Sequence, residues 1–148
     1  MKLEMFINFN GSCREAVEFY ARVFKSEVKN LMTYAQMPHD PNCPCDASCT
    51  CTVPESDKNK IMYAGIPLSN MTLMFMDMPS SEPFISGNNM SPTISTNDIA
   101  EVKRLFNELK EGGNVGMELQ KTFYSELYGM VTDKFGVTWQ ILHSSGQW

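Results

Sequence analysis

Two stretches of the chain carry apolar residues at helical spacing. Ala16, Val17, Phe19, Tyr20, Val23 and Phe24 recur three and four residues apart, which predicts an amphipathic helix from about Cys13 to Phe24 with one face in a core. Ser12 stands in the N-cap position and Glu15 three residues later, the pattern of a capping box. Val102, Leu105, Phe106 and Leu109 predict a second helix from about Ile99 to Glu111. Asp98 and Glu101 form the same kind of cap, and Gly112-Gly113 supplies the left-handed residue that ends it. Extended segments surround both helices. "LEMFINF" (Leu3 to Phe9) and "NMSPTIST" (Asn89 to Thr96) precede them. "EVKNLMTY" (Glu27 to Tyr34), "IMYAGIPL" (Ile61 to Leu68) and "MTLMFMD" (Met71 to Asp77) follow the first. "VGMELQKT" (Val115 to Thr122), "LYGMVTD" (Leu127 to Asp133) and "VTWQILH" (Val137 to His143) follow the second, with "DKFG" as a hairpin turn between the last two.

The order strand, helix, three strands therefore occurs twice, in a module over about 1–79 and another over about 89–145. Each module exposes one face of a sheet that needs covering, so the expected fold is α+β. Two tandem βαβββ modules form a pair of half-barrels with the helices outside, within a single domain over 1–148. Residues 40–58 are rich in Pro, Ser, Asn, Asp and Cys and read as a loop insertion, because a hairpin connection needs only a few residues.

Composition narrows the partners. The 148 residues carry a net charge of −5 and no Lys/Arg cluster, which argues against nucleic acid. No stretch nears the apolar length of a membrane span, and "MKLEMFINFN" lacks a signal-peptide pattern, so the expectation is a cytoplasmic protein. Twelve methionines, several on strand-like segments, suit irregular packing or an adaptable binding surface.

"FINFNGSCREAVEFYARVFKSEV" and "ELYGMVTDKFGVTWQIL", at the two ends of the chain, resemble the opening and the closing hairpin of PhnB-like proteins. These belong to the vicinal oxygen chelate superfamily, with glyoxalase I, bleomycin-resistance proteins and extradiol dioxygenases. Some relatives carry a demethylubiquinone methyltransferase label. This chain shows no glycine-rich loop after a strand that would hold a methyl-donor cofactor. The resemblance implies a cavity and a homodimer. It also places the ligand positions of the metal-dependent members on Met5, on Met76 (Asp77 with the register slipped by one), on Met90 or Asn89, and on Gln140. Thioethers and a neutral amide do not hold Ni, Zn or Fe(II) in that way, and neither His39 nor His143 falls on a ligand position. The expectation is a lost metal site and no cofactor.

Alternation on the first strand puts Met5, Ile7 and Phe9 on one face and Phe6 and Asn8 on the other. On the resemblance, the Met5 face looks into the cavity with Met76, Met90, Phe123, Tyr128 and Gln140. That set forms either a small-molecule pocket oriented by Gln140 or a core that fills the space of the lost metal site. The expected function is small-molecule binding or metal-independent conversion, with no catalytic pair recognisable. Asp77 and Asp133 read as strand-end caps. Cys13, at the start of the first helix, is a candidate reactive thiol or a half-buried first-turn residue. Two other classes stay open. One is a metal-dependent lyase or dioxygenase of the same superfamily. The other is a metal or redox sensor built on Cys43, Cys45, Cys49 and Cys51, whose C-x-C-x3-C-x-C spacing gives four soft ligands in little backbone, with His39 nearby.

Overall fold

In the computed structural model, residues 4–37 and 53–145 are described. The chain falls into two compact units, Met1–Phe84 and Ile85–Trp148. The first holds β1 (Met5–Phe9), α1 (Cys13–Val23), β2 (Lys29–Thr33), β3 (Ile61–Pro67) and β4 (Thr72–Asp77). The second repeats the order with β5 (Thr93–Thr96), α2 (Ile99–Leu109), β6 (Asn114–Gln120), β7 (Tyr128–Thr132) and β8 (Thr138–His143). The strand orders also match. β1-β4-β3-β2 forms one sheet and β5-β8-β7-β6 the other, each with a parallel pair (β1/β4, β5/β8) among antiparallel neighbours. The tandem βαβββ reading is the architecture observed.

In the first unit α1 closes one face of the sheet. Ala16, Val17, Tyr20 and Val23 are fully buried, and Tyr20 stacks on Phe75 of β4. Parallel pairing of Met5, Ile7 and Phe9 with Leu73, Phe75 and Asp77 puts those three on the same, helix-covered face. Met76 pairs with Asn8 and belongs to the other face, where the rings of Phe6 and Tyr63 meet at 6.2 Å. The expected pocket set Met5, Ile7, Phe9 and Met76 is thus divided between the two sides of one sheet. The alternation was correct; the aromatic stripe of α1 chose the opposite face to close.

The start of α1 also differs from expectation. Ser12 makes no side-chain cap hydrogen bond. Its place is taken from across the unit by Asp77, whose Oδ1 accepts Gly11 N at 2.8 Å and Cys13 N at 3.0 Å. Oδ2 of Asp77 accepts Ile61 N at 3.0 Å, so one carboxylate joins the helix N-terminus to two strands. In α2 the cap is local: Asp98 accepts Ala100 N at 2.8 Å, while Glu101 binds Arg104.

The β2–β3 connection is held at both described ends. Tyr34 N and Ala35 N donate to the carbonyls of Lys60 and Lys58. Asp57, almost wholly buried, accepts Ser80 N at 2.8 Å and pairs with Lys60 Nζ at 2.9 Å. Cys43, Cys45, Cys49, Cys51 and His39 lie outside the described residues.

The second unit closes one face with Val102, Leu105, Phe106 and Leu109 of α2. A Cβ on Gly129 would stand 2.8 Å from Phe106 Cε2, so glycine lets the helix seat on β7. Trp139 and Ile141 complete this core, and Trp139 Nε1 donates to the buried Asp133 Oδ2 at 2.7 Å. Oδ1 of Asp133 takes Phe135 N and Val137 N and closes the β7–β8 turn. Among the described residues, no helix is long and apolar enough to cross a membrane.

Candidate ligand face of the second sheet

β7 and β8 turn alternate residues away from α2. Gly129 and Ile141 pair on the helix side, so Tyr128, Met130 and Thr132 share the opposite face with Leu142, Gln140 and Thr138. This face is built from a hairpin whose register Asp133 fixes at its turn. Tyr128 Oη donates to Gln140 Oε1 at 2.9 Å, a diagonal cross-strand pair. Two residues further on, the hydroxyls of Thr132 and Thr138 meet at 2.8 Å. Met130 lies half-buried beside Gln140 and supplies the flexible apolar surface between the two polar pairs.

Tyr124, on the loop before β7, sets its ring edge-on to Tyr128 with centroids 5.6 Å apart. Burial first, then the charge and hydrogen bond of Tyr124, push the Tyr128 phenol above its ordinary value. The phenol therefore stays protonated at neutral pH and holds the amide carbonyl of Gln140. The Gln140 NH2 has no partner among the described residues and keeps two donors for an incoming acceptor. An arrangement of this kind orients a ligand; proton transfer would need a group that titrates nearer neutrality.

The other expected pocket residues lie elsewhere. Met90 precedes β5, which begins only after Ser91-Pro92, and it is 72% exposed. Phe123 stands 99% exposed in the β6–β7 loop. Of the second-unit set, the structure brings Tyr128 and Gln140 together. Met130, Thr132, Thr138 and Tyr124 were missed, although the hairpin turn and the period-two alternation of β7 and β8 would have found the first three.

The positions that the resemblance aligns with the ligands of metal-dependent proteins are placed as follows. Asp77 is 2% exposed with both oxygens taken by backbone N–H groups, and it lies on the helix side with Met5. Asn89 and Met90 are exposed outside β5, and the oxygen of Gln140 is engaged by Tyr128. Thioethers suit soft ions, the Asp77 oxygens already accept three backbone N–H groups and the Gln140 oxygen already accepts Tyr128, so this set is a poor fit to Ni, Zn or Fe(II). Among the described residues there is no group of three His, Cys, Asp or Glu placed to hold a metal.

The family model described as 3-demethylubiquinone-9 3-methyltransferase matches residues 1–142. The chain belongs to this family. Protein YjdN of Escherichia coli K12 is 30% identical over 147 residues, covering 95% of this chain and 94% of YjdN. The crystal structure of PA1353 from Pseudomonas aeruginosa is also 30% identical, with 97% and 98% coverage and a TM-score of 0.83. A PhnB protein from Bacillus cereus is 24% identical, with 97% and 100% coverage and a TM-score of 0.72. The fold is shared by a glyoxalase/bleomycin resistance protein/dioxygenase family enzyme from Burkholderia phytofirmans, 12% identical over 93% and 95% of the chains with a TM-score of 0.59.

Proposed function

We propose that this PhnB-like protein binds a small molecule on the face of β7 and β8 turned away from α2, without a divalent metal. The ligand has a flat or apolar body and presents a hydrogen-bond acceptor to Gln140. The observation that carries the reading is the Tyr128–Gln140 hydrogen bond. It orients the amide and leaves its NH2 as a fixed donor pair beside Met130. The resemblance supports the same protein as a cytoplasmic homodimer.

A thermal-shift screen of quinones, hydroquinones, phenols and aromatic amides, each with EDTA or with added Zn, Ni or Fe(II), tests this. Quinone rings are included because the family description names demethylubiquinone. Acceptor-bearing aromatics should raise the melting temperature equally with EDTA. Gln140→Ala should weaken binding roughly fivefold, the worth of about 1 kcal/mol of hydrogen bonding. Tyr128→Phe should weaken it less, because the amide remains but loses its orientation. Stabilisation by metal alone, or ligand binding indifferent to Gln140→Ala, would overturn the proposal.

A further inference from the structure

Phe123 is held in solvent by a loop that is otherwise tightly tied. Thr122 N donates to Ser125 O at 2.9 Å, and Ser125 N returns a bond to Thr122 Oγ1 at 3.1 Å. The Ser125 hydroxyl, buried, lies 2.8 Å from the carbonyls of both Leu127 and His143 and fastens the loop to β8. A loop so constrained has no need to present an apolar ring to water, yet Phe123 is 99% exposed. Tyr124 supports that ring edge-on, with centroids 4.9 Å apart and planes 85° apart. Beside the pair lies a cleft of about 230 Å³ that also reaches Lys121, Glu126 and His143. Glu126 Oε2 faces His143 Nδ1 at 3.9 Å, whereas Lys121 has no partner among the described residues. Lys121 is therefore the ammonium of the cleft, and the Glu126 carboxylate shares its lining.

We propose that this cleft binds a planar aromatic acid, its ring against Phe123 and Tyr124 and its carboxylate on Lys121. A rigidly presented aromatic ring loses little freedom on stacking, and an unpaired ammonium at its side gives a charge-assisted contact to a carboxylate. The site is distinct from the Gln140 amide, although Tyr124 touches the ring of Tyr128 and so borders both.

Titration with 2-naphthoate, followed by its fluorescence and by NMR of the protein, tests the site, with 2-naphthamide as the uncharged comparator. Naphthoate should bind saturably at one site per chain. Lys121→Gln and Phe123→Ala should each weaken it roughly tenfold. Naphthamide should bind about as weakly to the unaltered protein as naphthoate does to Lys121→Gln. Both side chains are exposed, so an unchanged near-ultraviolet circular dichroism spectrum verifies that the variants fold. The proposal is overturned by non-saturable binding or by equal affinities across the variants. It is also overturned if Phe123→Ala converts a dimer to a monomer in sedimentation while naphthoate binding is unchanged, since the ring would then serve a second copy of the chain.

Discussion

Tyr20 of α1 lies nearly parallel to Phe75 of β4, with ring centroids 5.4 Å apart and planes 14° apart, and both residues are fully buried. This stack decides which face of the first sheet is core. Phe9 joins it at 6.3 Å from Phe75, and Leu73 and Ile66 fill the rest of that face. Phe75→Ala removes the ring at the centre of the cluster and leaves a cavity the surrounding strands only partly collapse. The expected loss is about 3–5 kcal/mol, read as a lower urea midpoint. Phe6→Ala, on the open face, should cost under about 1 kcal/mol. Equal losses for the two variants would mean that the faces have been assigned the wrong way round.

Phe106 and Gly129 form the corresponding contact in the second unit, where a side chain on β7 would displace the helix. A Cβ at Gly129 would also stand 2.9 Å from Leu119 Cδ2, so it is hemmed in on two sides. Gly129→Ala is expected to destabilise by about 1–3 kcal/mol through overpacking, although alanine ordinarily suits a strand better than glycine. Coupling with Phe106→Leu provides the check. If the crowding is real, the shorter side chain should recover part of the loss in a double-mutant cycle.

Local signals in the chain were good guides to elements and poor guides to faces. The periodicity of Val102, Leu105, Phe106 and Leu109 marked α2, and "DKFG" marked the β7–β8 turn, because both depend on neighbouring residues. Met5 and Met76 could not be assigned to opposite faces without the register of β1 on β4, which pairs residues far apart in sequence. Ser12 carried a sound local cap signal, yet Asp77, far along the chain, supplies the hydrogen bonds. The Tyr128–Gln140 pair was half-legible. Both residues stood out, but their bond depends on strand pairing, and Tyr124 belongs to a loop whose path no periodicity reveals.

Cys13 shows how that distant cap changes chemistry. A cysteine at a helix N-terminus ordinarily gains acidity, but here burial first and then the Asp77 carboxylate push its thiol well up. The side chain is fully buried. Iodoacetamide at pH 8 should therefore leave the Cys13 peptide unmodified in the folded protein and alkylate it in urea, as read by mass spectrometry. Rapid alkylation under native conditions would restore the reactive-thiol reading.

Asp57 gives the pH prediction. The hydroxyl and N–H of Ser80, then Lys60, hold its carboxyl well below the ordinary value of 3.8, outweighing the opposing effect of burial. A folded pKa below the unfolded one means that the carboxylate's contribution is complete above the unfolded value and is lost as pH falls through the folded one. Asp57→Asn should thus lower the urea midpoint by the same amount from pH 5 to pH 8. The gap between the two proteins should narrow steadily below about pH 4, as the native carboxylate begins to lose its advantage over the unfolded one. Ser80→Ala removes the leading cause of the shift, so it should weaken this acid dependence while leaving the Lys60 pair in place. A gap that stays constant to the lowest pH at which the protein folds would show that Asp57 does not hold Ser80 and Lys60 through its charge.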